Sequence, residues 1–434
     1  MTIDRDAGVS QAHVASHLWL VAAVTASALF WLARRVKRRL RPALALAGPA
    51  LRELRKVFLP RGYPNSVGPG YLEYVGWQWA HHAAASANGV LASSFLLYAV
   101  GLGSGAIPTA GALNWVLKDG IGQLGTLLFG RFLGHRFDVQ AKSWYLAASA
   151  KLNAGMALEM ATFAVPSLFL PLGSAANAVK GLAWMCGGST RSAFNVGFAR
   201  ANNVADITAK ATSQTISSFL VGNSVGMATA AVVGQDLTSA YAAFAAFAAV
   251  HMYSGWRSAR LVPLQTLNPV RLQILAAAFV AGAEGAPALS PSEVARLEPV
   301  PFMPPYFEGS HGPKSQLVVG PDIGEAWAGD TKGLRELIQE FEGEHYLLWT
   351  GRQGESCVVL HHNAEPACVL RAVLHAALAR ADRDADGDPG GTLAKFRARR
   401  LTGIFLAALE RAGWLTDRLV VEAAPARATW SVNP

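Results

Sequence analysis

The side chains in this sequence that could do chemistry are charges and amides set among long apolar stretches, and they fall in two blocks. In the first, Asn114 to Asn153, Lys118 and Asp119 directly follow an apolar run, and Asp138, Lys142, Trp144 and Asn153 come after them. In the second, 187 to 214, stand Arg191, Asn202, Asn203, Asp206, Lys210, Ser213 and Gln214. If 199 to 213 form one helix, Asn202, Asp206, Lys210 and Ser213 lie within an arc of about 80° and make one polar stripe. Asp138 to Lys142 and Asp206 to Lys210 are both acid-before-base pairs at i,i+4, the favourable order on a helix. Two roles are open. As solvated ion pairs at the edges of apolar helices, each contributes under about 1 kcal/mol. As ionisable groups beside helices of spanning length, they face a cavity or one another. On the second reading Lys118, Asp119, Asp138, Lys142, Arg191, Asp206 and Lys210 pair across helices, and four positive against three negative charges leave one cation for an anionic ligand. These residues are the candidate ligand-binding set, with no catalytic residue and no metal ligand assigned.

Other chemistries find less support. His81 with His82, and His361 with His362, are neighbours in sequence, pointing about 100° apart on a helix, so neither pair chelates a metal alone. GLGSG at 101 to 105 lacks the GKS/T ending and the preceding strand of a phosphate loop and reads as a helix break. The acidic loop DRDADGDPGG lacks the Glu that an EF-hand needs at its twelfth position. Lys118 or Lys210 could in principle form a Schiff base, but nothing supplies the phosphate cup and ring partner of pyridoxal phosphate chemistry, so no cofactor is assigned. The three cysteines, Cys186, Cys357 and Cys368, form no CxxC pair and no disulfide framework, which predicts reduced thiols on a non-secreted protein.

The elements that position the two blocks are predicted to be membrane helices. The 434 residues are 52% hydrophobic and only 15% charged, outside the range of ordinary soluble proteins. Residues 1 to 270 carry 22 Lys and Arg against 9 Asp and Glu, whereas 271 to 434 carry 16 against 20, so the sign of the charge changes at one boundary. The basic part lacks clustered stacking aromatics, which speaks for juxtamembrane charge and against nucleic acid. Gln11 to Ala33 is an uncharged run of 23 residues followed by RRVKRRLR, an expected anchor with its basic flank inside; a plastid transit peptide is the competing reading. Further uncharged runs at 74–117, 160–179, 211–235 and 237–256 fit helices packed on one another in a bilayer or in a large helical core. Pro166 and Pro171 interrupt the run at 160–179, which is expected to dip into the membrane without crossing it. Gly120, Gly122, Gly125, Gly130 and Gly134 each weaken a helix by roughly 1 kcal/mol relative to Ala, which predicts something close against the backbone there, for which close helix packing in a membrane gives a reason.

Several dispersed blocks resemble the Root UVB Sensitive family of membrane-associated proteins: FLPRGYPNSV at 58 to 67; Trp115, KDG at 118 to 120, Asp138, Trp144 and LN at 152 to 153; GGSTRSAFNVGFARANNVADITAKATSQ at 187 to 214; and HMYSGWRSARLVPLQTLN at 251 to 268. The resemblance implies links to the UV-B response, root and seedling development, auxin transport and vitamin B6 homeostasis, with no reaction attached. Gly70, Gln78, Ala154, Gly197, Ala211 and Thr215 depart from the family pattern, which puts any ligand contact at those positions in doubt.

The expected architecture is mainly α: an anchor and basic flank at 1–48, a helical membrane domain at 49–282, a Pro-, Glu- and Ser-rich linker at 283–313 and a small α+β module at 314–434. In that module the period changes, with strands at 315–320, 345–350, 356–361 and 417–423, helices at 332–341 and 366–381, and an extra helix at 393–412. The order β-α-β-β-α-β is that of a ferredoxin-like fold. Function classes follow: a membrane-embedded carrier or binding protein for a small anionic molecule, a membrane scaffold acting through a homologous or other protein partner, and, last, an enzyme, for which no nucleophile with a paired base can be named.

Overall fold

The computed structural model describes residues 48–103, 108–133, 137, 139–282, 286–300, 317–321, 331–350, 356–384, 392–419 and 427–430. The expected anchor at 11 to 41 and Asp138 lie outside these residues. The fold is mainly helical. Its elements in chain order are α1 (Gly48–Phe58), α2 (Tyr71–Gly103), α3 (Pro108–Leu133), α4 (Ala141–Ala161), α5 (Phe169–Phe198), α6 (Val204–Val233), α7 (Leu237–Leu261), β1 (Thr266–Leu267), α8 (Pro269–Ala281) and α9 (Pro291–Leu297). There follow β2 (Leu317–Val319), α10 (Thr331–Glu340), β3 (Tyr346–Thr350), β4 (Ser356–His361), α11 (Pro366–Asp384), α12 (Thr392–Arg411), β5 (Leu415–Leu419) and β6 (Arg427–Ala428).

These elements divide between two units, one holding residues up to Leu128 with Ala148–Trp184 and Ala199–Ser258, the other Phe129–Ala147, Met185–Phe198 and everything from Ala259 on. The first unit is a helical assembly built on close approach. A Cβ added to Gly222 of α6 would lie 2.3 Å from the Ala83 carbonyl oxygen of α2, and one added to Gly226 would lie 2.9 Å from that of Ala87. Small residues four apart on both helices therefore let the two backbones touch, the packing mode that lipid-embedded helices favour. Two glycines of α3 have the same explanation: Gly122 faces Asn177 and Gly125 faces Ala178 of α5, so what approaches the backbone there is another helix, whereas Gly120 meets nothing within 4 Å. Among the described residues two helices, α2 over Tyr71–Gly101 and α6 over Val204–Val233, are long and apolar enough to cross a membrane by length and composition. Only 17% of the apolar window of α6 is buried, leaving Ile216, Leu220, Val221, Val225 and Met227 exposed.

Two sequence expectations change here. The segment 199 to 213 is not one helix: the preceding helix α5 ends at Phe198 and α6 begins at Val204, with Asn202 between them at φ +52°, a left-handed conformation that Asn tolerates. The run at 160–179 is interrupted, with α4 ending at Ala161 and α5 beginning at Phe169 after a single 3₁₀ turn that Pro166 opens, but not by Pro171, which lies in the first turn of α5, where a missing N–H has no intrahelical partner to lose.

In the second unit, α8, α11 and α12 pack with a sheet around Leu272, Leu275, Phe279, Val358, Val359, Leu370, Leu374, Phe405 and Trp414. The sheet runs in the order β2-β4-β3, with β2 and β4 parallel and β3 and β4 antiparallel. These three strands come in the expected chain order. The fourth departs: β5 pairs in parallel with β1, and β6 with β4. Part of the presumed linker is ordered as α9, because Ser290 and Glu293 form a capping box around Pro291 at N1.

Candidate functional site

The polar stripe of α6 is anchored on a segment that precedes it by more than a hundred residues. Asp206, in the first turn of α6, accepts the backbone N–H of Arg61 at 2.7 Å through Oδ2. Lys210 donates to the carbonyl of Lys56 at 2.5 Å and Gln214 to that of Phe58 at 2.7 Å. Both carbonyls belong to the last turn of α1, whose final C=O groups have no intrahelical partner, so α6 supplies the C-terminal cap of α1, with a cation at its negative end. Ser213 turns inward to its own helix, its hydroxyl on the Ala209 carbonyl at 3.3 Å. The Asp206 and Lys210 side chains therefore go to backbone groups and form no ion pair with each other.

Between α1 and the start of α6 the chain turns through Pro60, Arg61, Gly62 and Tyr63. Gly62 has φ +76°, and its carbonyl accepts the N–H groups of Asn65 and Ser66. A residue with a side chain is strained at that φ, so glycine is what closes the turn. The result is a cavity of about 360 Å³ lined by Arg55, Lys56, Pro60, Arg61, Tyr63 and Lys210. Four cationic residues stand in this lining. Lys56 is paired with Glu53 at 2.6 Å and Lys210 is held by a carbonyl, whereas the Arg55 and Arg61 guanidiniums have no side-chain acceptor among the described residues. Guanidinium forks left without a carboxylate suit the planar, bidentate capture of a phosphate or carboxylate group.

The other predicted residues lie elsewhere. Lys118 and Asp119 contact each other at 2.5 Å, and Asp119 also accepts from Asn177 of α5 at 3.2 Å. Asn153 meets the buried ring of His251 at 3.0 Å, and the His251 carbonyl lies 2.9 Å from the His81 ring. Trp144 is fully buried, edge-on to Phe137. Arg191 keeps a buried Nε without a hydrogen bond. Asn202 is exposed, and Asn203 precedes α6 without a side-chain capping bond. Among the described residues no group of three or more His, Cys, Asp or Glu could hold a metal ion.

Lys142 takes a partner the sequence did not suggest. In the second unit its Nζ lies 2.7 Å from Glu298 Oε2, and Glu298 Oε1 accepts from Arg271 Nε at 3.0 Å. All three are buried, and Arg271 also donates to the Thr266 carbonyl at 2.7 Å. Burial alone would raise the Glu298 carboxyl, but Arg271 and Lys142 more than offset it and hold it down at about 2. Burial also lowers Lys142, with Glu298 opposing that shift and Arg271 adding to it. Two cations on one buried carboxylate form a structural lock. The capping box at Ser290 and Glu293 was the one sequence signal that a helix stood just ahead of Glu298. For the cavity, the signal was the basic amphipathic stretch RELRKVF at 52 to 58.

Comparison with known proteins agrees with the resemblance of the sequence blocks. A family model described as the vitamin B6 photo-protection and homoeostasis domain matches residues 47–283, and one described as root UVB sensitive protein, C-terminal, matches residues 287–400. Among curated proteins, protein root UVB sensitive 6 of Arabidopsis thaliana is 29% identical over 77% of this chain and 65% of its own length. Protein root UVB sensitive 2, chloroplastic, of the same plant is 29% identical over 84% of this chain and 82% of its own. RUS family member 1 of Dictyostelium discoideum is 30% identical over 57% of this chain, which spans 48% of that relative. No solved structure matches the chain. With its matched domain covering more than half of its length, the chain belongs to the root UVB sensitive family.

Proposed function

We propose that this protein is a membrane-associated binding or carrier protein for a phosphate-bearing anion, which it takes in the cavity between α1 and α6. The observation that carries this reading is the presence of two arginines, Arg55 and Arg61, beside two lysines in the lining of a cavity of about 360 Å³, with no side-chain acceptor for either guanidinium among the described residues. That volume lies within the range of small-molecule sites. The cavity falls inside the domain whose description names vitamin B6 homoeostasis, and phosphorylated forms of that vitamin carry the dianion that such a cavity suits. The apolar length of α2 and α6 supports placement in a membrane.

The test is titration of the detergent-purified chain with soluble phosphate esters, pyridoxal phosphate and glycerol 3-phosphate. Arg55→Gln and Arg61→Gln should each weaken binding by roughly tenfold, the loss of one charge-assisted pair of about 1.5 kcal/mol, without a change in melting temperature. Equal binding by wild type and both variants would remove the cavity from consideration. A scaffold role is favoured by a separate observation, the exposed apolar face of α3 at Val116, Leu117, Ile121, Leu124, Leu127 and Leu128. Absence of any binding, together with loss of self-association on Leu124→Asp, would favour that role.

A further inference from the structure

We infer that the phosphate taken by the cavity is the headgroup of an anionic phospholipid, presented to it by a bilayer in which α1 lies at the interface. The inference rests on reading the cavity as a phosphate site and goes beyond it by naming the source. Three features of the first unit support it together. First, α1 is amphipathic: Leu54 and Val57 are 51% and 48% exposed on one face, while Arg55 and Lys56 on the other line the cavity. Helices of this kind lie in the plane of a membrane with the apolar face at the boundary of headgroups and acyl chains and the basic face among the lipid phosphates. Second, α6 changes character at the cavity. Its charges, Asp206 and Lys210, lie in its first two turns, and no formal charge follows until Asp236. Ile216, the first of its exposed apolar residues, lies about 9 Å along the axis from Lys210 at the usual helical rise. Third, the hydrogen bonds from Lys210 and Gln214 to the Lys56 and Phe58 carbonyls fix α1 against the start of this apolar face. A cation cluster at the mouth of an apolar helix, beside an interfacial helix, meets phosphates that carry acyl chains; a site for a free phosphate ester has no use for the exposed Leu54 and Val57.

The experiment compares one phosphate with and without chains. Detergent-purified full-length protein is titrated with a short-chain, water-soluble phosphatidic acid, with sn-glycerol 3-phosphate and with pyridoxal phosphate, using wild type, Arg55→Gln/Arg61→Gln and Leu54→Ser/Val57→Ser, with melting temperature as the check on folding. The lipid should bind at least tenfold more tightly than the glycerol phosphate. Leu54→Ser/Val57→Ser should close that gap without affecting glycerol phosphate, and Arg55→Gln/Arg61→Gln should weaken both. Equal affinities in the wild type, or a preference for pyridoxal phosphate over the lipid, would overturn the lipid assignment and leave the phosphate site standing. Failure of every phosphate compound to bind would overturn both. Lipid binding that survives Arg55→Gln/Arg61→Gln would place the lipid elsewhere and overturn the inference.

Discussion

At the scale of the residue, charges in this chain are held by partners that the sequence does not pair with them. Lys142 was matched by spacing to Asp138, four residues before it, yet its buried contact is Glu298, in a stretch whose proline content suggested a linker. A composition signal cannot show that a short, capped helix delivers a carboxylate to a distant lysine, because the pairing is tertiary. The consequence for stability is specific. The folded carboxyl titrates near 2 against an ordinary 4.5, so as pH falls the unfolded chain takes up the proton first. Glu298 therefore contributes about 3 kcal/mol that is complete above pH 4.5 and lost between 4.5 and 2. Urea unfolding across that window should show the decline. Glu298→Gln should remove this part of it and lower stability at neutral pH by about 3–5 kcal/mol, since Lys142 and Arg271 would then face each other without the anion between them. A neutral-pH change under about 1 kcal/mol would mean that water already screens the pair.

At the scale of the element, legibility followed periodicity. The strands at 346–350 and 356–361 and the helices at 366–384 and 392–411 lie where a change of period placed them, because alternation and helical spacing are local properties. Where the fourth strand pairs is not local, and β5 lies on β1, from a part of the chain more than a hundred residues earlier. The spaced glycines of α3 were legible as close helix packing, which Gly122 and Gly125 show, but not as to which glycine stands in open space. Gly222 and Gly120 separate the two cases. A methyl on Gly222 meets the Ala83 backbone, which cannot swing away, so Gly222→Ala should lower thermal stability by about 1–3 kcal/mol. Gly120 meets nothing within 4 Å, and Gly120→Ala should raise stability by up to about 1 kcal/mol through helix propensity. The reverse order of the two melting temperatures would contradict the packing of α2 on α6. The cap that α6 places on α1 is testable in the same way: Gln214→Leu should free the end of α1 at a cost of about 1 kcal/mol and speed proteolytic cleavage between α1 and α2. Unchanged cleavage would show that α1 is held by other contacts.

At the scale of the whole molecule, the candidate site joins the last turn of α1, the turn through Gly62 and the Asp206–Lys210 stripe. Of these the stripe was read from the sequence as a site, but as one that meets Lys118 and Arg191; its contacts with the end of α1 are tertiary and have no local signature. If α2 and α6 cross a bilayer as their length and composition permit, the full-length chain should remain in the membrane pellet after carbonate extraction, and its recovery in the soluble fraction would count against membrane insertion. The most direct measurement for the central claim is an experimental density map of the full-length protein with a bound phosphate ester. The account predicts the phosphate group within hydrogen-bond distance of Arg55, Arg61 and Lys210. A phosphate seated on other residues, with this cavity empty in the same map, would contradict it.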